Sequence, residues 1–428
     1  MGNNTMVTMK TSQNLSVVSL FTGAGGLDIG FDQTGEFDLL ACVELERAFC
    51  DTLVANRDAG HLGTPSTQVI QADVSRLDPN DLMEILGLKP GELDVLIGGP
   101  PCQSWSTAGR RGTVTDPRGQ LIWDFLRFVE VLKPKYFVME NVRGLLSGAL
   151  KHRPIAERPG TGGVALHPDE MPGSAIDLWI DDATAMDHGA YRVDLFEVNA
   201  VNYGAPQLRE RVLFFGNRLG HSVAFPEPQF GAPGGNLPQY RTLRDAIGGF
   251  SESNPIIMDF SPRKKKYLSM VPPGGNWRAL PDSVAAESMG KAFFAKGGRS
   301  GWWRRLSWDH PCPTITTMPN HASTSLCHPG EVRALSVAEC ARIQEFPQDW
   351  TFKGTPQEQM KQVGNAVPTR LGRIAAEVVA ANLGRDKISG ESVLPAFTRT
   401  YVNSHVRTRS WWRDGQSVIH GEVDPIAV

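Results

Sequence analysis

Short apolar runs separated by longer mixed segments set the rhythm of residues 1–217. Leu15–Leu20, Phe37–Val43, Gln68–Ile70, Leu93–Ile97, Tyr136–Met139, Leu195–Ala200 and Val212–Phe215 read as strands. Several are unbroken Val/Ile/Leu/Phe runs, which marks strands buried on both faces of a largely parallel sheet. Ala48–Asn56 and Gly119–Leu132 carry helical patterns between them. Strand and helix alternate as in a doubly wound nucleotide-binding fold, so the expected class is α/β with a Rossmann-like domain.

The texture changes at residue 219. As far as Arg305, Pro and Gly are dense (PEPQFGAPGG, VPPGGNW, KGGRSG) and regular periodicity fades, which predicts a smaller, loop-rich domain over 219–305. Helical patterning returns at Ser336–Phe346 and Thr369–Leu383, so residues 306–385 are expected to complete the domain begun by 1–218. Residues 386–428 form a tail whose Trp411 and Trp412 predict that it docks rather than trails free. Residues 148–190 read as a long surface insertion; with three Lys/Arg against seven Asp/Glu, they are poorly suited to holding DNA.

Composition narrows the class without naming a substrate. The 428 residues are 41% hydrophobic and 21% charged, as in ordinary soluble enzymes, and no apolar run is long enough to span a membrane. Met1–Gln13 is polar and lacks the apolar centre of a signal peptide. Six scattered cysteines include no C-x-x-C pair, which argues against a zinc site or disulfide framework and fits a reducing cytoplasm; no metal is expected. Net charge is −3, so any nucleic-acid surface must come from local asymmetry.

Three features at successive strand ends point to a ligand. Phe21-Thr22-Gly23-Ala24-Gly25-Gly26-Leu27-Asp28 follows the first strand directly, and its glycines let backbone approach a ligand closely. The spacing is not the G-x-G-x-x-G of dinucleotide enzymes. Glu44 ends the second strand, where a carboxylate suits ribose hydroxyls, and Asp73 follows the third, where it could accept from an adenine amino group. Taken singly, each acid could be a helix cap or a solvated charge. After the fourth strand comes Gly98-Gly99-Pro100-Pro101-Cys102-Gln103-Ser104-Trp105-Ser106, a stiff loop that puts a thiol on the ligand face of the sheet.

The order FTGAGG, GGPPCQSWS, Glu140-Asn141-Val142, Gln207-x-Arg209-x-Arg211 and Gly364-Asn365-Ala366-Val367-Pro368 resembles the cytosine-5 DNA methyltransferase family, of the prokaryotic restriction-modification type. The similarity covers roughly 15–217 and 304–384, with Trp105 where the family more often has Phe. It implies S-adenosylmethionine as cofactor, held by Phe21, Gly23, Gly25, Gly26, Leu27, Glu44, Asp73, Pro100, Asn365 and Ala366. Phe21 would pack on the adenine. It also implies Cys102 as nucleophile, Glu140 at the ring nitrogen N3, Arg211 on the cytosine carbonyl oxygen, and Arg209 ordering the thiol loop.

Those residue types suit the chemistry. Carbon 5 of cytosine is a poor nucleophile, and a thiolate adding to carbon 6 leaves an enamine that is a better one. Cysteine is intrinsically nucleophilic, with a reference pKa of about 8.5. A carboxyl can protonate or hydrogen-bond N3, and a guanidinium is a rigid, permanently charged donor. The target atom is hidden in a duplex, so the base must be rotated out of the stack.

Residues 261–310 hold ten Lys/Arg against three Asp/Glu. Arg263, Lys264, Lys265, Lys266, Arg304 and Arg305 are the expected DNA contacts there, with Gln103 and Ser104 in the thiol loop. Trp277, Trp302 and Trp303 suit either a small-domain core or base stacking. Cys340, Arg342 and Gln344, on the helix packing the domains together, are expected to be structural. Double-stranded DNA is the expected partner, with no membrane, monomeric action, and a restriction endonuclease as possible genetic partner. The alternatives are a tRNA cytosine methyltransferase on the same scaffold and a catalytically silent DNA-binding regulator.

Overall fold

The computed structural model describes residues 14–101, 119–295, 300–383, 396–402, 404–406, 412–413 and 416–417. Seven strands fall on the expected runs: β1 (Leu15–Leu20), β2 (Phe37–Glu44), β3 (Gln68–Gln71), β4 (Val95–Gly98), β5 (Tyr136–Asn141), β6 (Arg192–Asn199) and β7 (Glu210–Asn217). An eighth, β8 (Phe397–Tyr401), comes from the tail. All lie in one sheet of order β3-β2-β1-β4-β5-β7-β6-β8, parallel except for β7. Strand order reverses between β1 and β4, which opens a crevice at their carboxyl ends.

Alternation along the strands explains the two cores. Val17, Ile97 and Val138 pack on one face, while Val18, Leu20, Leu96, Phe137 and Met139 pack on the other. The first face is covered by α1 (Gly26–Asp32) and α2 (Arg47–Asp58), the second by α3 (Pro79–Leu86), α4 (Leu121–Leu132) and α5 (Ser174–Gly189).

The helix α5 corrects one expectation. Residues 148–190 are not a surface insertion throughout, because Ala175, Ile176, Trp179, Ile180 and Ala183 recur at helical spacing and are buried on the sheet. The Trp179 ring meets Phe214 edge-on at 4.9 Å, and its Nε1 donates to the Ile122 carbonyl at 2.9 Å. Three of the acidic residues that suggested a surface loop, Asp177, Asp181 and Asp182, are exposed on the other side of the same helix.

The segment after β7 carries α6 (Leu243–Ile247), α7 (Pro262–Leu268) and α8 (Asp282–Met289). It has its own core of Phe260, Tyr267, Leu268, Val271, Leu280 and Trp303, completed by Cys327 and Ala334. Trp303 is therefore a core residue; its Nε1 donates to Ser288 Oγ at 2.9 Å. Trp277 and Trp302 pack half-buried against it.

The chain then returns through α9 (Val337–Ile343), α10 (Pro356–Asn365) and α11 (Thr369–Leu383). α11 lies directly on α1, and glycine makes that approach feasible. A Cβ at Gly30 would stand 2.2 Å from the Arg373 nitrogen, and one at Gly372 would stand 2.6 Å from the Leu27 carbonyl oxygen. Cys340 and Gln344 are fully buried, as their structural reading requires.

Candidate active site

A cavity of about 370 Å³ opens at the crevice, between the carboxyl ends of β1, β2, β4 and β5 and the return segment. One wall is the glycine loop. Phe21 is held at φ 54°, a left-handed conformation uncommon for a bulky residue, and Gly23 and Gly25 follow at 61° and 82°. Phe21, Gly23, Gly26 and Leu27 all line the cavity. Gly25 lies behind them, where a Cβ would meet Leu53 at 3.2 Å.

Glu44 ties this loop to β2. Its Oε2 accepts from the Gly23 N–H at 2.7 Å, and its Oε1 accepts from Leu45 and Glu46 N–H groups at 2.9 Å each. Burial pushes the carboxyl above the usual range, against the pull of those three donors. A carboxylate has about four acceptor positions, so capacity for a ligand hydroxyl is left on Oε2. Asp73 sits at the far rim, its Oδ1 taken by the Ser75 N–H and hydroxyl at 3.0 and 2.7 Å.

The opposite wall carries the groups expected to act on a base. Arg211 Nε lies 2.5 Å from Glu140 Oε1, and both side chains are nine-tenths buried. Arg211 also donates to the Glu210 carbonyl at 2.7 Å. Gly99 leaves room for the acid, since a Cβ there would stand 3.4 Å from Glu140 Oε2. Asn141, the next residue of β5, donates to the Pro100 carbonyl at 3.2 Å and so anchors the loop leading to the thiol. Pro100 and Pro101 line the cavity, whereas Cys102, Gln103 and Ser104 lie outside the described residues. The other five cysteines are buried, and burial raises every one of their thiols: Cys50, Cys312 and Cys327 to about 12, and Cys42 and Cys340 well above the ordinary thiol range.

The return segment closes the cavity with Asn365, Ala366 and Val367. Arg209 holds it there. Its guanidinium donates to the carbonyls of Ile315 at 2.9 Å, Gly364 at 3.0 Å and Ala366 at 2.7 Å. Gln207 accepts from the Ile315 N–H and donates to Gln344, each at 2.8 Å. The described partners of the Arg209 guanidinium are thus return-segment carbonyls; the thiol loop it was expected to order lies outside the described residues, and Arg209 does not line the cavity.

Among the cavity residues that the sequence reading did not single out, one is a fully buried acid. Asp28, on α1, is 1% exposed, and its Oδ1 faces the Cys42 thiol at 3.9 Å. Burial raises its carboxyl to about 6. An acid flanked on both sides by small and apolar groups, in the run Gly26-Leu27-Asp28-Ile29-Gly30, was the available signal.

The expected DNA contacts divide. Arg263 and Lys266 are exposed. Lys264 donates to the Asn320 carbonyl at 2.8 Å and Lys265 pairs with Asp259. Arg304 donates to the Ser325 carbonyl at 3.1 Å, and Arg305 to those of Val271 and Pro329 at 3.1 and 2.7 Å. These last four cations brace the small domain itself.

The family model for C-5 cytosine-specific DNA methylase matches residues 15–154 and 179–381. The chain belongs to that family. Type II methyltransferase M.Sau96I of Staphylococcus aureus is 33% identical over 85% of this chain and 75% of its own length. M.PspPI of Psychrobacter is 35% identical over 85% and 78%, and M.Eco47II of Escherichia coli is 34% identical over 89% and 82%. Among solved structures, a protein described as a DNA modification methyltransferase encoded within an E. coli prophage superposes with a TM-score of 0.57. It is 23% identical and covers 87% of this chain and all of its own. The DNMT2 protein of Spodoptera frugiperda, in a mutant form, gives 0.50 at 13% identity over 86% of this chain and all of its own, which supports the fold. This methyltransferase is therefore a DNA cytosine-5 enzyme of the restriction-modification type, and S-adenosylmethionine is its methyl donor. The break at 155–178 falls on the turn-rich part of 148–190, and the match resumes inside α5.

Proposed function

We propose that the enzyme methylates carbon 5 of a cytosine rotated out of a specific duplex sequence, through a transient bond between Cys102 and carbon 6. The observation that carries this reading is the buried Glu140–Arg211 pair facing the same cavity as Pro100 and Pro101. A carboxyl and a guanidinium side by side match the N3 and carbonyl edge of one cytosine.

The cavity fits the cofactor in chemistry: a left-handed Phe21, a glycine wall, a ribose-directed carboxylate in Glu44, and Asp73 at the adenine end. Asn365 and Ala366 would close over it. When bound, S-adenosylmethionine supplies an electrophilic methyl group. The Cys102 thiolate adds to carbon 6, Glu140 gives a proton or hydrogen bond to N3 as charge builds, and Arg211 holds the carbonyl oxygen. A base then takes the carbon-5 proton and the thiolate leaves. Elimination supports Cys102, because the five described thiols are buried and hard to ionise.

Residues 1–218 and most of 306–385 form the catalytic domain in this reading, and 219–305, with a core completed by Cys327 and Ala334, choose the target. The enzyme acts as a monomer in the cytoplasm, where its DNA lies, with a restriction endonuclease as its genetic partner. Expression in a host free of cytosine methylation, followed by bisulfite sequencing, reads the product directly. Wild type should protect one short sequence motif and Cys102→Ala none. Methylation by the alanine variant at the wild-type rate would remove Cys102 from the mechanism.

A further inference from the structure

The family match ends at residue 381, yet β8 and the residues after it grip the catalytic edge of the sheet. β8 runs parallel to β6, so the chain leaves it at the ligand end. Arg399 donates through Nε and Nη2 to Glu197 Oε1 at 2.9 and 2.6 Å. Glu197 is buried, and its Oε2 lies 3.3 Å from Nε of Arg143, the residue after Glu140-Asn141-Val142. Further on, the buried Ser404 offers its carbonyl to Asn199 Nδ2 at 2.9 Å, while Asn199 Oδ1 accepts the Arg209 backbone N–H at 3.0 Å. His405 Nδ1 then stands 3.2 Å from Glu210 Oε1. Glu210 in turn takes Arg143 on its other oxygen at 3.4 Å and the Arg211 guanidinium on its backbone carbonyl at 2.7 Å.

We infer that residues 397–402, with Ser404 and His405, form a strap that positions Arg211 for methyl transfer through Glu197, Arg143 and Glu210, with Arg399 and His405 as its positioning residues. The inference rests on the reading of Glu140 and Arg211 as the groups that hold the base. Glu197 keeps Arg143 when Arg399 is removed, so its buried charge stays compensated while its position is less firmly set. Without Arg399 and His405, Glu197 and Glu210 are held by Arg143 alone, and Glu210, whose carbonyl takes the Arg211 guanidinium, is less firmly fixed. The cofactor wall lies across the sheet, at β1 and β2, so it should not sense the change.

The test uses the full chain carrying Arg399→Ala with His405→Ala, both exposed positions whose loss should leave folding intact. Single-turnover methyl transfer at saturating DNA and cofactor should fall about tenfold, within the range a small misplacement costs. Cofactor affinity and melting temperature should stay close to wild type, and Arg399→Lys should recover most of the rate. An unchanged rate, or a loss matched by weaker cofactor binding or a lower melting temperature, would overturn the strap. Arg211→Ala runs alongside. If it too keeps the wild-type rate, the reading of the cavity itself is wrong; if it is inactive while the double variant is not, only the strap fails.

Discussion

Nε of Arg211 stands 2.5 Å from Oε1 of Glu140, and neither side chain has an easy route to water. With the base absent, the guanidinium and the carboxyl face each other. A cytosine entering between them would exchange one strong contact for two, N3 to the acid and the carbonyl to the guanidinium. Glu140→Gln keeps the shape and loses the proton, so the single-turnover rate should drop by about 10²–10⁴. DNA and cofactor affinities should change far less. A rate within a few-fold of wild type, measured by rapid quench, would take Glu140 out of the chemistry.

Glu44→Ala tests the cofactor wall. The variant removes the proposed acceptor for a ribose hydroxyl and also frees the Gly23 N–H that the carboxylate now holds. Calorimetry should show cofactor binding weaker by about 1.5–3 kcal/mol, the range for hydrogen bonds to a charged group. Unchanged affinity would refute the ribose assignment.

Asp28 gives the enzyme a pH signature. Its carboxyl is raised by burial from 3.8 to about 6, so the folded state keeps a proton that the unfolded chain releases earlier. Stability from this group is therefore fullest below pH 4 and declines as pH rises to about 6, a cost on the order of 3 kcal/mol. Asp28→Asn cannot ionise and should escape that decline. Comparing wild type with the variant between pH 5 and 7.5, the gap in unfolding free energy should widen in the variant's favour. A gap that does not vary with pH would mean Asp28 is ionised in the fold throughout.

Arg263 and Lys266 are the exposed members of the basic run and the best placed to meet phosphates. Replacing both by alanine should weaken binding to specific and unrelated duplexes alike. Each lost contact should lower the salt slope of log affinity by about 0.9. Lys264→Ala and Lys265→Ala should flatten the slope less, since both side chains already have protein partners. Equal slopes for wild type and the exposed double variant would place the DNA elsewhere.

The strands were legible because burial on both faces leaves unbroken apolar runs, which few other structures produce. The motif residues were legible by type, but their partners were not. In a regular strand Arg209 and Arg211 would share a face, yet β7 begins only at Glu210, so alternation does not govern Arg209. It turns instead to the carbonyls at 315, 364 and 366. α5 was overlooked because Asp177, Asp181 and Asp182 dominate its composition, although apolar groups recur every three or four residues beneath them. β8 is a short Phe-Thr-Arg-Thr-Tyr stretch whose partner lies about two hundred residues earlier, and no local pattern announces such a pairing.

The glycine seam between α1 and α11 sets an order of events during synthesis. α1 leaves the ribosome among the earliest elements, while the backbone it must touch, at Val367, Gly372 and Arg373, comes some 340 residues later. At ~5–20 residues per second, the first helix waits tens of seconds with its glycine face uncovered. The cavity wall is finished only when the return segment arrives. A nascent chain that stops short of it thus has no complete cavity, and the proposed methyl-donor site forms in one late step rather than growing with chain length.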